Sequence, residues 1–127
     1  MSKPILCLDF DGVINSYVSG WKGADVIPDP PVPGALKFIA EAMEHFTVAI
    51  FSSRSNQPGG IGAMKEWFRY WSQMQINDMP DTPTGEFIQW PTEKPAAFLT
   101  IDDRALMFTG TWPDVADLLK FKPWNKR

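Results

Sequence analysis

The feature that most constrains this chain is a short apolar run that stops on two acids. Pro4, Ile5, Leu6, Cys7 and Leu8 show no polar alternation, and Asp9-Phe10-Asp11-Gly12 follows at once. Such a run suits a strand buried on both faces of a parallel sheet. In extended backbone, residues two apart share a side, so Asp9 and Asp11 converge while Phe10 turns into the core. Two neighbouring carboxylates repel one another. A divalent cation between them relieves the repulsion, and hard oxygen donors at a sheet edge favour magnesium. Gly12 lets the chain turn away sharply.

The remaining pattern alternates helices with strands. Residues 15–33 are rich in Gly and Pro and read as loop or short hairpin. Pro33 opens a helix over about 34–45, whose stripe is Leu36, Ile39, Met43 and Phe46. Residues 47–51 read as a second buried strand. Gly59, Gly60 and Gly62 break the chain as a hinge, and a second amphipathic helix follows with Met64, Trp67, Phe68 and Trp71 on its buried face. Residues 77–84 read as a loop and 87–89 as a short strand. Residues 97–101 form a third strand, ending on Asp102 and Asp103. Residues 106–108 add an edge strand, and 113–120 a last helix with Val115, Leu118 and Leu119 inward. Alternating elements imply an α/β fold, a parallel sheet with helices on both faces, whose site lies beyond the carboxyl ends of the strands.

Composition bounds the rest. A chain of 127 residues with 44% hydrophobic content is the size of one domain, spanning residues 1–127. A net charge of -3 argues against a surface built to hold duplex nucleic acid. Lys120, Lys122, Lys126 and Arg127 make a locally basic but solvated end. The one cysteine, Cys7, has no partner for an internal disulfide and is expected to be buried. The opening residues show no signal peptide and no stretch approaches spanning length, so the expectation is a cytoplasmic protein off the membrane. Oligomeric state stays open.

Three strand ends carry the chemistry. The first holds Asp9 and Asp11. The second holds Ser52, Ser53 and Arg54, a hydroxyl and amides where a phosphate oxygen can rest. The third holds Asp102 and Asp103, with Lys94 eight residues before Asp102 as a compensating charge. DxDG alone also occurs in calcium loops and turns; the ordered set is what adds weight.

That order resembles the four motifs of the haloacid dehalogenase-like (HAD) phosphatases over nearly the whole chain. LDFDGV matches the first motif, VAIFSSR is similar to the second, and EKPAAFLTIDDR to the third and fourth together. The resemblance implies a three-layer Rossmann-like core and a magnesium-dependent phosphohydrolase acting on phosphate monoesters. It implies Asp9 as nucleophile, Asp11 as general acid and base, Ser52 as a phosphoryl hydrogen-bond donor and Lys94 as the steadying charge. Asp103, ranked above Asp102, would hold the metal with Asp9 and the backbone carbonyl of Asp11. Such chemistry is physically consistent, because attack by a carboxylate on a phosphate dianion needs cationic screening.

Lesser positions stay open between two readings. Arg54 either contacts phosphate or forms a rim salt bridge. Ser16, Tyr17, Trp21 and Lys22 lie in the loop after the nucleophile, where they read the leaving group or pack the loop. Arg104 is expected to be structural, and His45 a helix-end residue. The gaps between motifs leave no room for a cap domain, so substrates range from a small ester to a phosphorylated macromolecule. IDDR is similar to the form in polynucleotide phosphatases, so a nucleotide or polynucleotide end is the alternative substrate, disfavoured by charge. A non-catalytic metal- or phosphate-binding module is the rival of another class.

Overall fold

The computed structural model describes residues 3–74 and 87–126. Its regular elements are β1 (Ile5–Leu8), α1 (Ala35–Ala42), β2 (Thr47–Ile50), α2 (Gly60–Met74), β3 (Leu99–Ile101) and α3 (Val115–Leu118), with a closing 3-10 turn (Trp124–Lys126). The sheet is parallel in the order β2-β1-β3, with Leu8 paired to Ile50 on one side and to Ile101 on the other. The chain is therefore an α/β fold built on a three-stranded parallel sheet. The expected strand at 87–89 shrinks to one bridge, in which Gln89 accepts from the Ile50 N–H and donates to the Val48 carbonyl, both at 2.9 Å. The loop expected at 77–84 lies outside the described residues.

Leu6, Leu8 and Phe10 point to one face of the sheet, beside Val48 and Ile50. The stripes of both long helices, Leu36 and Ile39 of α1 and Met64, Trp67 and Phe68 of α2, enter that same cluster. Each such side chain contributes about 1.5–3 kcal/mol on burial. Phe10 anchors the centre, packing edge-on against Trp67 with ring centroids 4.9 Å apart. Trp67 satisfies its indole N–H on the Asp29 carbonyl at 2.9 Å.

Of two expectations about covering layers, the first is met only in part and the second needs correction. Both long helices pack on the Leu6–Leu8 face, so helices on both faces are not observed among the described residues. The connection from Gln89, beside β2, to Leu99, beside β1, instead carries irregular chain across the sheet. The correction concerns the C-terminal stretch. Residues 106–108 form no strand, and Val115 and Leu119 of the expected inward stripe are 78% and 91% exposed. The cause is local: α3 is a single turn capped by Asp114, and the irregular chain before it does not return the stripe to the core.

The glycines also differ from the expected hinge. Gly60 opens α2 against the Arg54 carbonyl, so close that a side chain there would overlap it. No helix of the described residues is long and apolar enough to cross a membrane.

Candidate metal centre and its arginine clamp

Every candidate acid sits at the carboxyl end of the sheet. The Asp9 N–H donates to the Ile101 carbonyl at 3.0 Å, which brings the end of β1 beside Asp102 and Asp103. One carboxylate oxygen from each of Asp9, Asp102 and Asp103 lies within 4.8 Å of the others. Burial, followed by the charge of Asp102 and a hydrogen bond with Asp103, pushes the Asp9 carboxyl up to about 8. Three carboxylate oxygens this close together could hold a metal ion. Arg104 N–H donates to Asp102 at 2.9 Å, fixing the turn that carries the pair.

Gly12 makes the cluster sterically possible. Its φ is +84°, and a Cβ there would overlap the Asp103 carboxylate. The turn is held by the Phe10 carbonyl, which accepts from the N–H groups of Val13, Ile14 and Asn15. From the other end of the chain, Trp124 donates its indole N–H to the Gly12 carbonyl at 2.7 Å.

Asp11 goes elsewhere. Its carboxylate accepts from Arg54 Nε at 2.9 Å and from Asn15 Nδ2 at 2.9 Å. Arg54 is 1% exposed, and its Nη1 donates to the carbonyls of Gly23, Ala24 and Val26. Trp21 lies over the guanidinium, 4.7 Å from Cζ to the ring centroid. Arg54 thus ties the second strand end to Asp11 and to the loop at 23–26. Of the two readings open for each residue, these contacts favour the salt bridge for Arg54 and loop packing for Trp21, which stays 45% exposed above it. The Asp11 side chain likewise stands outside the three-carboxylate group.

The second strand end is shaped by its own polar groups. Ser52 is buried; its Oγ accepts from the Arg54 N–H at 3.1 Å, and its N–H donates to Ser55 Oγ at 3.0 Å. No hydrogen bond donated by the Ser52 hydroxyl is seen among the described residues. Ser53 is exposed, and its carbonyl accepts from Gln57 Nε2 at 2.7 Å. Lys94 is exposed and forms no ion pair with the acids among the described residues. Its charge is felt at the Cys7 thiol, on the sheet side that Asp9 shares; burial is the main cause that pushes this thiol up.

In the loop after Asp9 and Asp11, Tyr17 takes a left-handed backbone (φ 61°) and donates its N–H to Asn15 Oδ1 at 3.3 Å. Its phenol is pushed up by burial and then by the charge of Asp11. Ser19 ties the same loop to buried Asp29 through two hydrogen bonds of 2.9 and 2.6 Å. Asn15, Asp29 and Trp124 went unread in the sequence. Asn15 follows Asp11 by four residues, a spacing that permits the contact without requiring it; nothing local marks Trp124, 112 residues from its partner.

No protein-family model, curated protein or solved structure matches the chain.

Proposed function

We propose that this chain is a metal-dependent phosphohydrolase of HAD-like, three-layer Rossmann-like design without a cap, acting on a phosphate monoester through an aspartyl-phosphate at Asp9. The observation that carries the reading is the meeting of Asp9 with Asp102 and Asp103, acids from two strand ends far apart in the chain. Asp9, Asp102 and Asp103 would hold magnesium, whose charge would let Asp9 ionise and would screen the approaching phosphate. An Asp9 oxygen would then form a bond to phosphorus as the ester P–O bond breaks, and the leaving oxygen would take a proton from Asp11, which recovers it from the attacking water. Water subsequently cleaves the aspartyl-phosphate to release inorganic phosphate and return the carboxylate. Ser52, with its hydroxyl proton uncommitted, donates to the phosphoryl group, and Lys94 adds charge from the rim.

One observation favours a second reading. The Asp11 carboxylate is held by Arg54 and Asn15, donors that suit a fixed acceptor better than a proton source. A site that binds a metal and a phosphate without turnover keeps the acids and uses Asp11 only to brace the loop. A panel of phosphate monoesters, assayed with magnesium and with chelator, alongside Asp9→Asn, separates the two. Hydrolysis requires magnesium and is abolished in Asp9→Asn if the first reading holds. Metal binding with no turnover of any ester selects the second, and activity undiminished in Asp9→Asn removes the aspartyl-phosphate mechanism.

A further inference from the structure

A hollow of about 640 Å³ opens between the loop at 25–28 and one face of α2. Ala63, Trp67 and Tyr70, at helical spacing, line it with Trp71 on one side, and Ile27 and Pro28 line it on the other. Two buried donors hold the loop at this distance from the helix. Arg54 Nη1 donates to the carbonyls of Gly23, Ala24 and Val26 at 2.8, 2.9 and 3.2 Å, and the Trp67 indole donates to the Asp29 carbonyl at 2.9 Å. The chain is thus bonded on both sides of residues 27–28, and the hollow stands formed before anything enters it. Its size falls within the roughly 300–1,000 Å³ of small-molecule sites. It shares no lining residue with the hollow that holds Asp102, Asp103 and Trp124.

The lining is aromatic and acidic. The ring planes of Tyr70 and Trp71 stand at 86° with centroids 5.0 Å apart, and Tyr70 is 55% exposed. Glu66 also lines the hollow, but its carboxylate is already paired with Arg69. The Asp25 carboxylate, in contrast, makes no hydrogen bond or ion pair among the described residues. It is nonetheless held in place. Arg54 fixes the carbonyls of Ala24 and Val26 on either side of it, and its Cβ lies so near Gly59 that a side chain there would meet it at 3.3 Å.

A fixed, unpaired carboxylate beside aromatic rings attracts a cation. A metal ion or a bare ammonium would have to shed tightly held water against Ile27, Pro28 and the rings, with one free carboxylate in return. A neutral apolar molecule would cover Asp25 and leave it without a partner. An ammonium whose hydrogens are replaced by methyl groups carries its charge on an apolar surface, so it suits both kinds of lining at once. We infer that this hollow binds a small alkylated ammonium compound of the choline type, its methyl groups against Trp67, Tyr70 and Trp71 and its charge facing Asp25. Such binding does not depend on the proposed chemistry at Asp9.

Titration of the isotope-labelled full chain with choline chloride, read in proton–nitrogen correlation spectra, tests it. Saturable shifts are expected at the indole N–H signals of Trp67 and Trp71, with a dissociation constant in the millimolar range or below. The neutral dimethylbutanol in which a carbon replaces the nitrogen is expected to bind at least about 5-fold more weakly. Asp25→Asn and Tyr70→Ala, both at exposed positions, are each expected to weaken choline binding by about 5-fold while the rest of the spectrum is preserved. Absence of saturation overturns the proposal, and so do shifts that sodium chloride reproduces at equal ionic strength. Shifts at Trp124 in place of Trp67 and Trp71 put the cation at the three acids and overturn it as well. A neutral analogue that binds as tightly as choline, or an affinity indifferent to either substitution, removes the charge or the ring from the site and has the same consequence.

Discussion

Asp9 and Asp11 leave the same strand two residues apart and end in opposite electrostatic surroundings. Asp11 meets a buried guanidinium and an amide, so its charge is balanced and its oxygens are fixed. Asp9 meets two more carboxylates, so its charge is opposed and its proton is retained to about 8. The difference teaches where this fold spends its interactions. One half of the site is a finished structural joint, and the other is a crowded set of carboxylates that could hold a metal ion.

The joint should dominate stability. Arg54→Ala leaves the half-buried Asp11 without its cation and frees the carbonyls at 23–26, so a loss of about 3–5 kcal/mol is expected in chemical denaturation. A loss below roughly 1 kcal/mol would mean that the clamp is no joint at all. Gly12→Ala tests the boundary between the halves. It forces a left-handed side chain into the Asp103 carboxylate, with an expected cost of about 1–3 kcal/mol and a weakened thermal response to magnesium.

The open half should behave in the reverse sense. Because the folded Asp9 carboxyl sits above its ordinary value of 3.8, at about 8, folding takes up a proton between those limits. The stability this group contributes is full below about pH 4 and is lost as pH rises through about 8. Asp9→Asn is therefore expected to raise the melting temperature of the metal-free protein near pH 8 by about 2–5 °C, with little difference near pH 4. An equal or lower melting temperature at pH 8 would break the contrast with Arg54. Magnesium binding at pH 7 should release on the order of one proton, read by calorimetry in buffers of different ionisation enthalpy. At the small end, Arg69→Ala removes an exposed ion pair to Glu66 and should cost less than about 0.5 kcal/mol.

What the sequence made legible follows the reach of its physical signals. Unbroken apolar runs located β1 and β2, because burial on both faces leaves a mark in consecutive residues; β3 was placed by its run into Asp102 and Asp103, although its own residues are exposed. The stripes of α1 and α2 were visible for the same reason, apart from Gly60, which reads as a breaker and instead opens α2 where only a glycine fits under the Arg54 carbonyl. The acidic cluster was legible as a set because each member closes a strand. The clamp was not, since Arg54 and Asp11 are separated by 43 residues and an arginine at a strand end looks the same whether it points to solvent or inward. The C-terminal stripe failed for a different reason. Val115, Leu118 and Leu119 have helical spacing, but periodicity says that a face is apolar and not which surface covers it.

The bond from the Trp124 indole to the Gly12 carbonyl has a consequence for biosynthesis. The loop that shapes the acids is translated early, whereas the residue that secures it emerges from the ribosome only after β3 and α3 have been made. That bond is therefore added after the rest of the core, and a nascent chain stalled before residue 124 would hold the Gly12 turn only through its local bonds to the Phe10 carbonyl.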